Sequence, residues 1–371
     1  MSPQPYLLGL TGNIAAGKSV VRQYLENAGA LTVDADRLAQ ATYLPSGPAY
    51  QPILDRFGED LKMADGQINR SRLGRIVFSD PQALQKLEGI VHPLVSQELT
   101  RILETTSAGM VVIEAIKLFE SDLAHICQQV WTVVAADDVR LQRLVDQRGM
   151  SEAEAWARIQ SQPPQEEKVK RSDRVISTDG SFKEVFDHVQ AVLHTLPELS
   201  TGPEITQDDV LVRPLSAEDL PAIAPLIANP ELPLAPSEVA DLPYRWYGSV
   251  SALGLWQGGA LQHLLSWKIE HFLAMLRAIH PSWCETEHWP LLLQALSENA
   301  QQHACKALVI PTSLVRPGLA KHAGFLPGDS TLPGVDPLEL FIMQKKYGRT
   351  PLDFRQTFVS HISQGQTAFI G

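Results

Sequence analysis

Gly12-Asn13-Ile14-Ala15-Ala16-Gly17-Lys18-Ser19 fits the spacing G-x-x-x-x-G-K-[ST] and decides how the residues on either side must fold. The glycines let backbone N–H groups close around phosphate oxygens, Lys18 reaches the outer phosphates, and the Ser19 hydroxyl can ligand Mg²⁺. The apolar run Tyr6–Leu10 before the loop predicts a strand. After it, the spacing from Lys18 to Ala28 places Val20, Val21, Tyr24, Leu25 and Ala28 on one helical face, with Gly29 as the stop. Such a helix points its positive end at the loop, so residues Gly12 to Val20 together form an anion cradle.

Residues 1 to 197 continue in the same style, short apolar runs alternating with helical patterns, which predicts a parallel α/β sheet. The expected strands are Tyr6–Leu10, Leu31–Val33, Met110–Ile113, Val130–Ala135 and Arg174–Ile176. The stretch from Pro48 to Thr105 is too long for a plain crossover and reads as a helical insertion; Asp137 to Lys170 is also helical. Prolines, a glycine and polar residues mark 198–209 as a linker. A second domain is expected over 210–347, with five of the seven tryptophans, and a tail without a readable role over 348–371. The chain has no internal repeat or low-complexity tract.

The net charge is −11. Residues 1–200 carry 20 basic and 26 acidic side chains and the remainder 11 and 16, so neither half offers the basic surface that nucleic acid requires. Cys127, Cys284 and Cys305 are too far apart in sequence for a zinc motif or a disulfide framework, and suit a reducing cytoplasm. No apolar run approaches the length of a membrane span, and the expectation is a soluble protein with no membrane partner.

Two further features carry chemistry. Val33-Asp34-Ala35-Asp36-Arg37-Leu38-Ala39 follows the second expected strand, beyond whose carboxyl end ligands of open parallel sheets bind. Asp34 there suits a general base that takes the proton of an attacking hydroxyl, and equally an N-cap for a helix beginning near Arg37; Asp36, closer to that helix, is the better cap. Arg140, Arg143, Arg148 and Arg158, followed by Lys168, Lys170, Arg171 and Arg174, form a basic group in an acidic chain. Arg148, beside Gly149, suits a mobile lid over transferring phosphate; solvated ion pairs with Asp146, Glu152 and Glu154 are the plainer account of the same residues.

At this point the first ~195 residues resemble the dephospho-CoA kinases. LTGNIAAGKS (10–19), VDADRLA (33–39), the Pro-Ser-Gly of 45–47, FGED (57–60), DGQINRSRLGRIVFSDP (65–81), His-Pro-Leu (92–94), QRLVDQR (142–148) and SDRVIST (172–178) occur in the family's order. The resemblance implies ATP phosphates on Gly12 to Val20, catalysis by Lys18, Asp34 and Arg148, and a metal site at Ser19 and Glu114. It implies CoA contacts within 48–105, with Asp36, His92, Lys117 and Arg143 as substrate-binding candidates. Three departures stand out. Glu114 replaces the usual aspartate after the third strand, and Lys117 replaces an apolar neighbour, as a phosphate contact or a plain surface lysine. Thr178 stands where the family has an asparagine near the base. In the loop, Asn13 and Ala16 stand where glycine and serine are common; neither removes a backbone N–H, so phosphate binding is expected to persist.

Residues 210 to 347 resemble the GNAT acetyltransferases more weakly. The resemblance rests on Val210–Leu215 with a helix opened by Ser216, on a strand ending Ile279-His280-Pro281, on a helix from Leu291 to Ala304, on strands at Ala307–Ile310 and Leu338–Met343, and on Lys321–Phe325. The stretch Ser282–Trp289, where acetyl-CoA pyrophosphate would sit, has no glycine and holds two carboxylates, which opposes cofactor binding. Glu270 and His271 are site candidates of the second domain, with solvated surface or core positions as the plainer account of both; the expected role of that domain is interaction or regulation, including a protein partner.

The fold expected is therefore α/β, a P-loop parallel-sheet kinase domain with helical substrate and lid insertions, followed by a smaller α+β GNAT-like domain. The activity expected is ATP- and Mg²⁺-dependent phosphorylation of the ribose 3′-hydroxyl of dephospho-CoA. The alternatives are another small-molecule or nucleotide kinase, and a nucleotide-sensing regulatory protein.

Overall fold

Five short apolar runs pair side by side as one fully parallel sheet, and their order places the phosphate-loop strand at its centre. The computed structural model describes residues 4–45, 47–196, 204–227, 235–270, 273–280, 288–303, 305, 307–311, 326–327 and 340–343. In chain order the elements are β1 (Tyr6–Thr11), α1 (Lys18–Asn27), β2 (Leu31–Asp34), α2 (Ala35–Thr42), α3 (Tyr50–Phe57), α4 (Arg70–Ser79), α5 (Pro81–Thr105), β3 (Met110–Glu114), α6 (Leu123–Ile126) and β4 (Gln129–Val134). Then come α7 (Asp137–Arg148), α8 (Glu152–Gln160), α9 (Gln165–Val169), β5 (Arg174–Ser177), α10 (Phe182–Leu193), β6 (Ile205–Gln207), β7 (Val210–Pro214), α11 (Leu220–Ile227) and α12 (Pro236–Tyr247). The second half closes with β8 (Ser251–Gln257), β9 (Ala260–Glu270), β10 (Leu273–His280), α13 (Trp289–Gln302), β11 (Ala307–Pro311), β12 (Leu326–Pro327) and β13 (Leu340–Met343).

The chain divides into two compact units, Met1–Asp34 with Ser107–Lys268 and Ala274–Cys305, and Ala35–Thr106 with Ile269–Leu273 and Lys306–Gly371. In the first, the parallel sheet has the order β2-β3-β1-β4-β5. Met110, Val111, Val112 and Ile113 are wholly buried, as a strand covered on both faces requires. From β1 the chain moves to one side of the sheet for β2 and β3, and to the other for β4 and β5. The carboxyl end of β1 is thus the switch point at which such sheets bind ligands.

The first unit also contains the antiparallel strands β6 to β10, in the order β10-β9-β8-β7-β6, with α11 and α12 between β7 and β8 and α13 after β10. This α+β arrangement matches the fold expected of the second half. Its core is continuous with that of the parallel sheet, running from Leu8, Tyr24 and Val133 through Phe186 to Tyr247 and Leu264. Tyr24 meets Phe186 edge-on at 5.2 Å and stacks on Tyr247 at 6.3 Å, and its hydroxyl donates to the Tyr244 carbonyl at 2.9 Å. Asn27 Nδ2 donates to the carbonyls of Tyr247 (2.7 Å) and Val250 (3.1 Å). Within the stretch expected to link the halves, Ile205–Gln207 pair with β7 through the two-residue turn Asp208-Asp209, Asp208 taking a left-handed φ of 52°.

Asp241 of α12 ties the halves together most directly. Its two carboxylate oxygens accept from the Phe182 and Lys183 amides at 3.1 and 2.8 Å, while Ser181 and Glu184 complete a capping box on the same helix. Four backbone donors of a helix start lack helical partners, so a carboxylate on two of them is a strong cap. Asp241→Ala is expected to cost about 1–2 kcal/mol. Thermal unfolding of the full chain checks this, and an unchanged midpoint would deny Asp241 the role.

In the second unit, α2 to α5 are helices, and α4 and α5 have legible starts. Asn69 Oδ1 accepts from Arg72 N at 3.0 Å to open α4, and Asp80 Oδ1 accepts from Gln82 N at 2.9 Å to open α5 ahead of Pro81. Gly47 closes the turn after α2, where a Cβ would stand 2.1 Å from the Thr42 carbonyl oxygen. Strands β11, β12 and β13 pair antiparallel in the order β12-β13-β11.

Candidate active site

The phosphate loop leaves β1 at Gly12 and enters α1 at Lys18, with Gly17 as N-cap at φ 86° and Ala15 also left-handed at 57°. Two glycines are required by close approach. A Cβ on Gly12 would lie 2.3 Å from the Val133 carbonyl oxygen, and one on Gly17 2.9 Å from Thr178 Oγ1. Lys18 Nζ donates to the Gly12 carbonyl at 2.9 Å, folding the lysine across its own loop.

The loop is held from outside by side chains that sequence reasoning missed or placed elsewhere. Gln162 Oε1 accepts from Ile14 N at 2.7 Å, and Asn13 Nδ2 donates to the Pro163 carbonyl at 2.8 Å. Arg140 Nε donates to the Ile14 carbonyl at 3.0 Å, and Arg143 donates to Ala15 O (3.1 Å), Thr178 Oγ1 (2.9 Å) and Thr178 O (2.6 Å). Thr178 Oγ1 in turn donates to Ala16 O at 2.8 Å. Thr178, singled out above only for its departure from asparagine, thus clamps the loop to the end of β5.

The basic group, contiguous in sequence, is dispersed in the fold across α7, α8 and α9. Arg140 is buried beneath the loop and paired with Asp137 at 2.7 Å. Buried Lys168 donates to the Ile116 carbonyl, and Arg171 donates to Phe119 O and covers its ring at 4.4 Å. Arg143 and exposed Arg148 remain beside the phosphates' expected position. They line a cleft of about 860 Å³ with Ala15–Val20, Glu114, Gln147, Thr178 and Phe182. Burial holds the Arg143 guanidinium below its ordinary range, opposed by Asp179.

Two carboxylates stand at the adjoining strand ends. Asp34 closes β2 and is the register partner of Glu114, which closes β3. Glu114 Oε2 lies 3.2 Å from Arg22 Nε, and Arg22 Nη1 pairs with Glu26 at 2.8 Å. Burial pushes the Glu114 carboxyl above the usual carboxylate range; Arg22 and Lys18 pull it down and Asp34 pushes it up. Arg22, absent from the sequence-based candidates, sits one helical turn beyond Lys18, a spacing that could have exposed it.

The helix after Asp34 begins at Ala35 rather than near Arg37, so Asp34 takes the capping position and Asp36 lies in the first turn. Asp36 and His92 belong to the second unit, His92 exposed within α5 just before Pro93. Lys117 is exposed on the turn after β3 and is not among the cleft's lining residues. Ser19, exposed in the first turn of α1, lines the cleft. Glu270 has no described side chain, and His271, 281–287 and 312–325 lie outside the described residues.

The raised Glu114 carboxyl has a pH consequence. Below its ordinary pKa both folded and unfolded chains are protonated there, and the penalty is absent. As pH rises through and beyond the usual carboxylate range, the folded chain must ionise a buried acid and loses stability. Glu114→Gln removes this, so wild type is expected to lose ground to the variant in denaturation midpoints as pH rises through and above the usual carboxylate range. Equal slopes would remove the effect.

Among the described residues, no helix is long and apolar enough to cross a membrane. A family model described as dephospho-CoA kinase matches residues 6–184. The dephospho-CoA kinase of Carboxydothermus hydrogenoformans is 40% identical over 190 residues, 50% of this chain and 92% of its own. Among solved structures, TT1252 from Thermus thermophilus is 34% identical, covering 52% of this chain and 99% of its own at a TM-score of 0.47. The PaiA N-acetyltransferase of Thermoplasma acidophilum, solved in complex with coenzyme A, is 17% identical, covering 38% of this chain and 100% of its own at a TM-score of 0.26.

Proposed function

Since this chain belongs to the dephospho-CoA kinase family, we propose that it transfers the γ-phosphoryl group of ATP to the ribose 3′-hydroxyl of dephospho-CoA, releasing ADP and CoA. The observation that carries the reading is the register pair Asp34–Glu114, in which Glu114 lines the cleft with Lys18 and Asp34, outside that lining, ends the neighbouring strand. Asp34 takes the proton of the attacking hydroxyl as the new O–P bond forms and the bond to the ADP oxygen breaks. Lys18 exchanges the Gly12 carbonyl for phosphate oxygens, and Arg148 adds positive charge from the rim of the cleft.

Mg²⁺ fits the donors present, a hydroxyl and a carboxylate oxygen in one cleft, which with phosphate oxygens suit a hard cation. Ser19 and Glu114 would hold it, and it would neutralise charge on the phosphates when bound. Arg22 keeps the Glu114 carboxylate oriented. The reaction belongs in the cytoplasm, where the free thiols Cys127 and Cys305 persist.

A coupled assay of ADP release over a panel of acceptors tests the proposal. Release is expected with dephospho-CoA and not with AMP, CMP or water. Equal release with a nucleoside monophosphate would make this another small-molecule kinase.

A further inference from the structure

A second cavity, at the end of α1 opposite the phosphate loop, lies in the first unit where that helix meets the antiparallel strands. It has a volume of about 620 Å³ counted out to the solvent at its mouth. Leu31, Pro214, Leu215 and Ala252 supply apolar wall, and Ser251, Trp267 and Asn299 supply polar groups.

Two of those polar groups are buried N–H donors. Trp267 is 1% and Asn299 3% exposed, and neither Trp267 Nε1 nor Asn299 Nδ2 meets an acceptor among the described residues. A buried donor without an acceptor costs folding free energy, and most native polar groups avoid that state. Two such donors lining one cavity point to an occupant that brings acceptor oxygens. Ser251, 4% exposed, accepts from Gln23 Nε2 at 3.0 Å, and its own proton is a third donor for the space.

The charge around the cavity selects the kind of acceptor. Glu26 and His303 line it, and no lysine or arginine does so among the described residues. The C-terminal ends of α1, at Glu26 and Asn27, and of α13, at Asn299 and Gln302, both line it, and helix C-termini present partial negative charge. An anion is therefore opposed. A carboxamide suits all of these features, the two lone pairs of its carbonyl accepting from Trp267 Nε1 and Asn299 Nδ2 and its N–H facing the helix ends.

We propose that the cavity bounded by Trp267, Asn299, Ser251 and the C-terminal end of α1 binds a small neutral carboxamide. The site is separate from phosphoryl transfer and goes beyond the function proposed above. The occupant would touch the helix whose opposite end carries the phosphate loop.

The test uses the full ¹⁵N-labelled chain without nucleotide. Its seven tryptophans give seven indole N–H signals, and Trp267→Phe identifies the one from Trp267. N-methylacetamide is the probe and acetate the charged control. The Trp267 signal is expected to move saturably with N-methylacetamide and to stay in place with acetate. Asn299→Leu should raise the half-saturating concentration about fivefold or more, the scale of one lost hydrogen bond. If Asn299→Leu gives an unfolded spectrum, Ser251→Ala is read in its place. A shift that never saturates, no shift, or an equal shift with acetate would overturn the proposal. Because ATP and dephospho-CoA are absent, failure here leaves the kinase assignment standing, and a kinase failure leaves this one.

Discussion

Asp34→Asn should reduce phosphoryl transfer to dephospho-CoA by about 10²–10⁴-fold, the scale of a lost general base, while ATP still binds. Asparagine is the informative replacement. Asp34 immediately precedes Ala35, the first residue of α2, so it occupies the capping position as well as the strand end beside Glu114. Asparagine suits the position before a helix about as well as aspartate, so the variant changes the proton acceptor with little cost to the helix start. Single-turnover transfer at saturating ATP, with unfolding midpoints measured alongside, separates the roles. Turnover near wild type with an intact fold would make Asp34 a cap and remove it from the chemistry.

Gly12→Ala should be comparably damaging for a different reason. The added Cβ would sit 2.3 Å from the Val133 carbonyl oxygen, an atom of β4, which pairs with β1. Backbone cannot step aside as a side-chain tip can, so the loop must move and its N–H groups lose their aim at phosphate. Overpacking of this kind costs about 1–3 kcal/mol of stability, and misplaced electrostatic donors cost about 10²–10³-fold in turnover. Gly149→Ala is the control. Gly149 is also left-handed, at φ 61°, but a Cβ there meets nothing within 4 Å. It should show only the modest left-handed penalty of about 1–2 kcal/mol. Nucleotide affinity and turnover of the pair distinguish steric damage at the cradle from general loss of stability.

Much of the first half was legible because its signals are local. The apolar runs place all five strands of the parallel sheet to within one residue at each end, and Gly29, left-handed at φ 99°, follows α1 as expected. The loop's glycines carry their own explanation in the space denied to a Cβ. Polar side chains with distant partners were not legible. Gln23 and Glu26 lie outside the apolar stripe expected of α1, yet both are buried. Gln23 finds Ser251, 228 residues away, and Glu26 finds Arg22 and Thr32. Tyr24 reads as core from its spacing, but nothing near it announces Tyr244 and Tyr247.

The basic residues show the converse error. Neighbours in sequence suggested one electrostatic surface, whereas the turns between α7, α8 and α9 send Arg140 and Lys168 into the interior. Strand β6 was hidden by the prolines and glycine before it. The pattern Ile205-Thr206-Gln207, Asp208-Asp209, Val210-Leu211-Val212 is nonetheless that of a hairpin closed by a two-residue turn. Helix α2 starts two residues early because the chain passes from Asp34 straight into a helical turn, with no loop to be read.

The atom that receives the phosphoryl group defines the reaction. Purified chain should be mixed with ATP, Mg²⁺ and dephospho-CoA, and the product examined by ³¹P nuclear magnetic resonance and mass. A new phosphomonoester on the ribose 3′-oxygen, formed in step with ADP, is the predicted result. Dephospho-CoA left unchanged while ATP is bound, or phosphate found at another position, would contradict it.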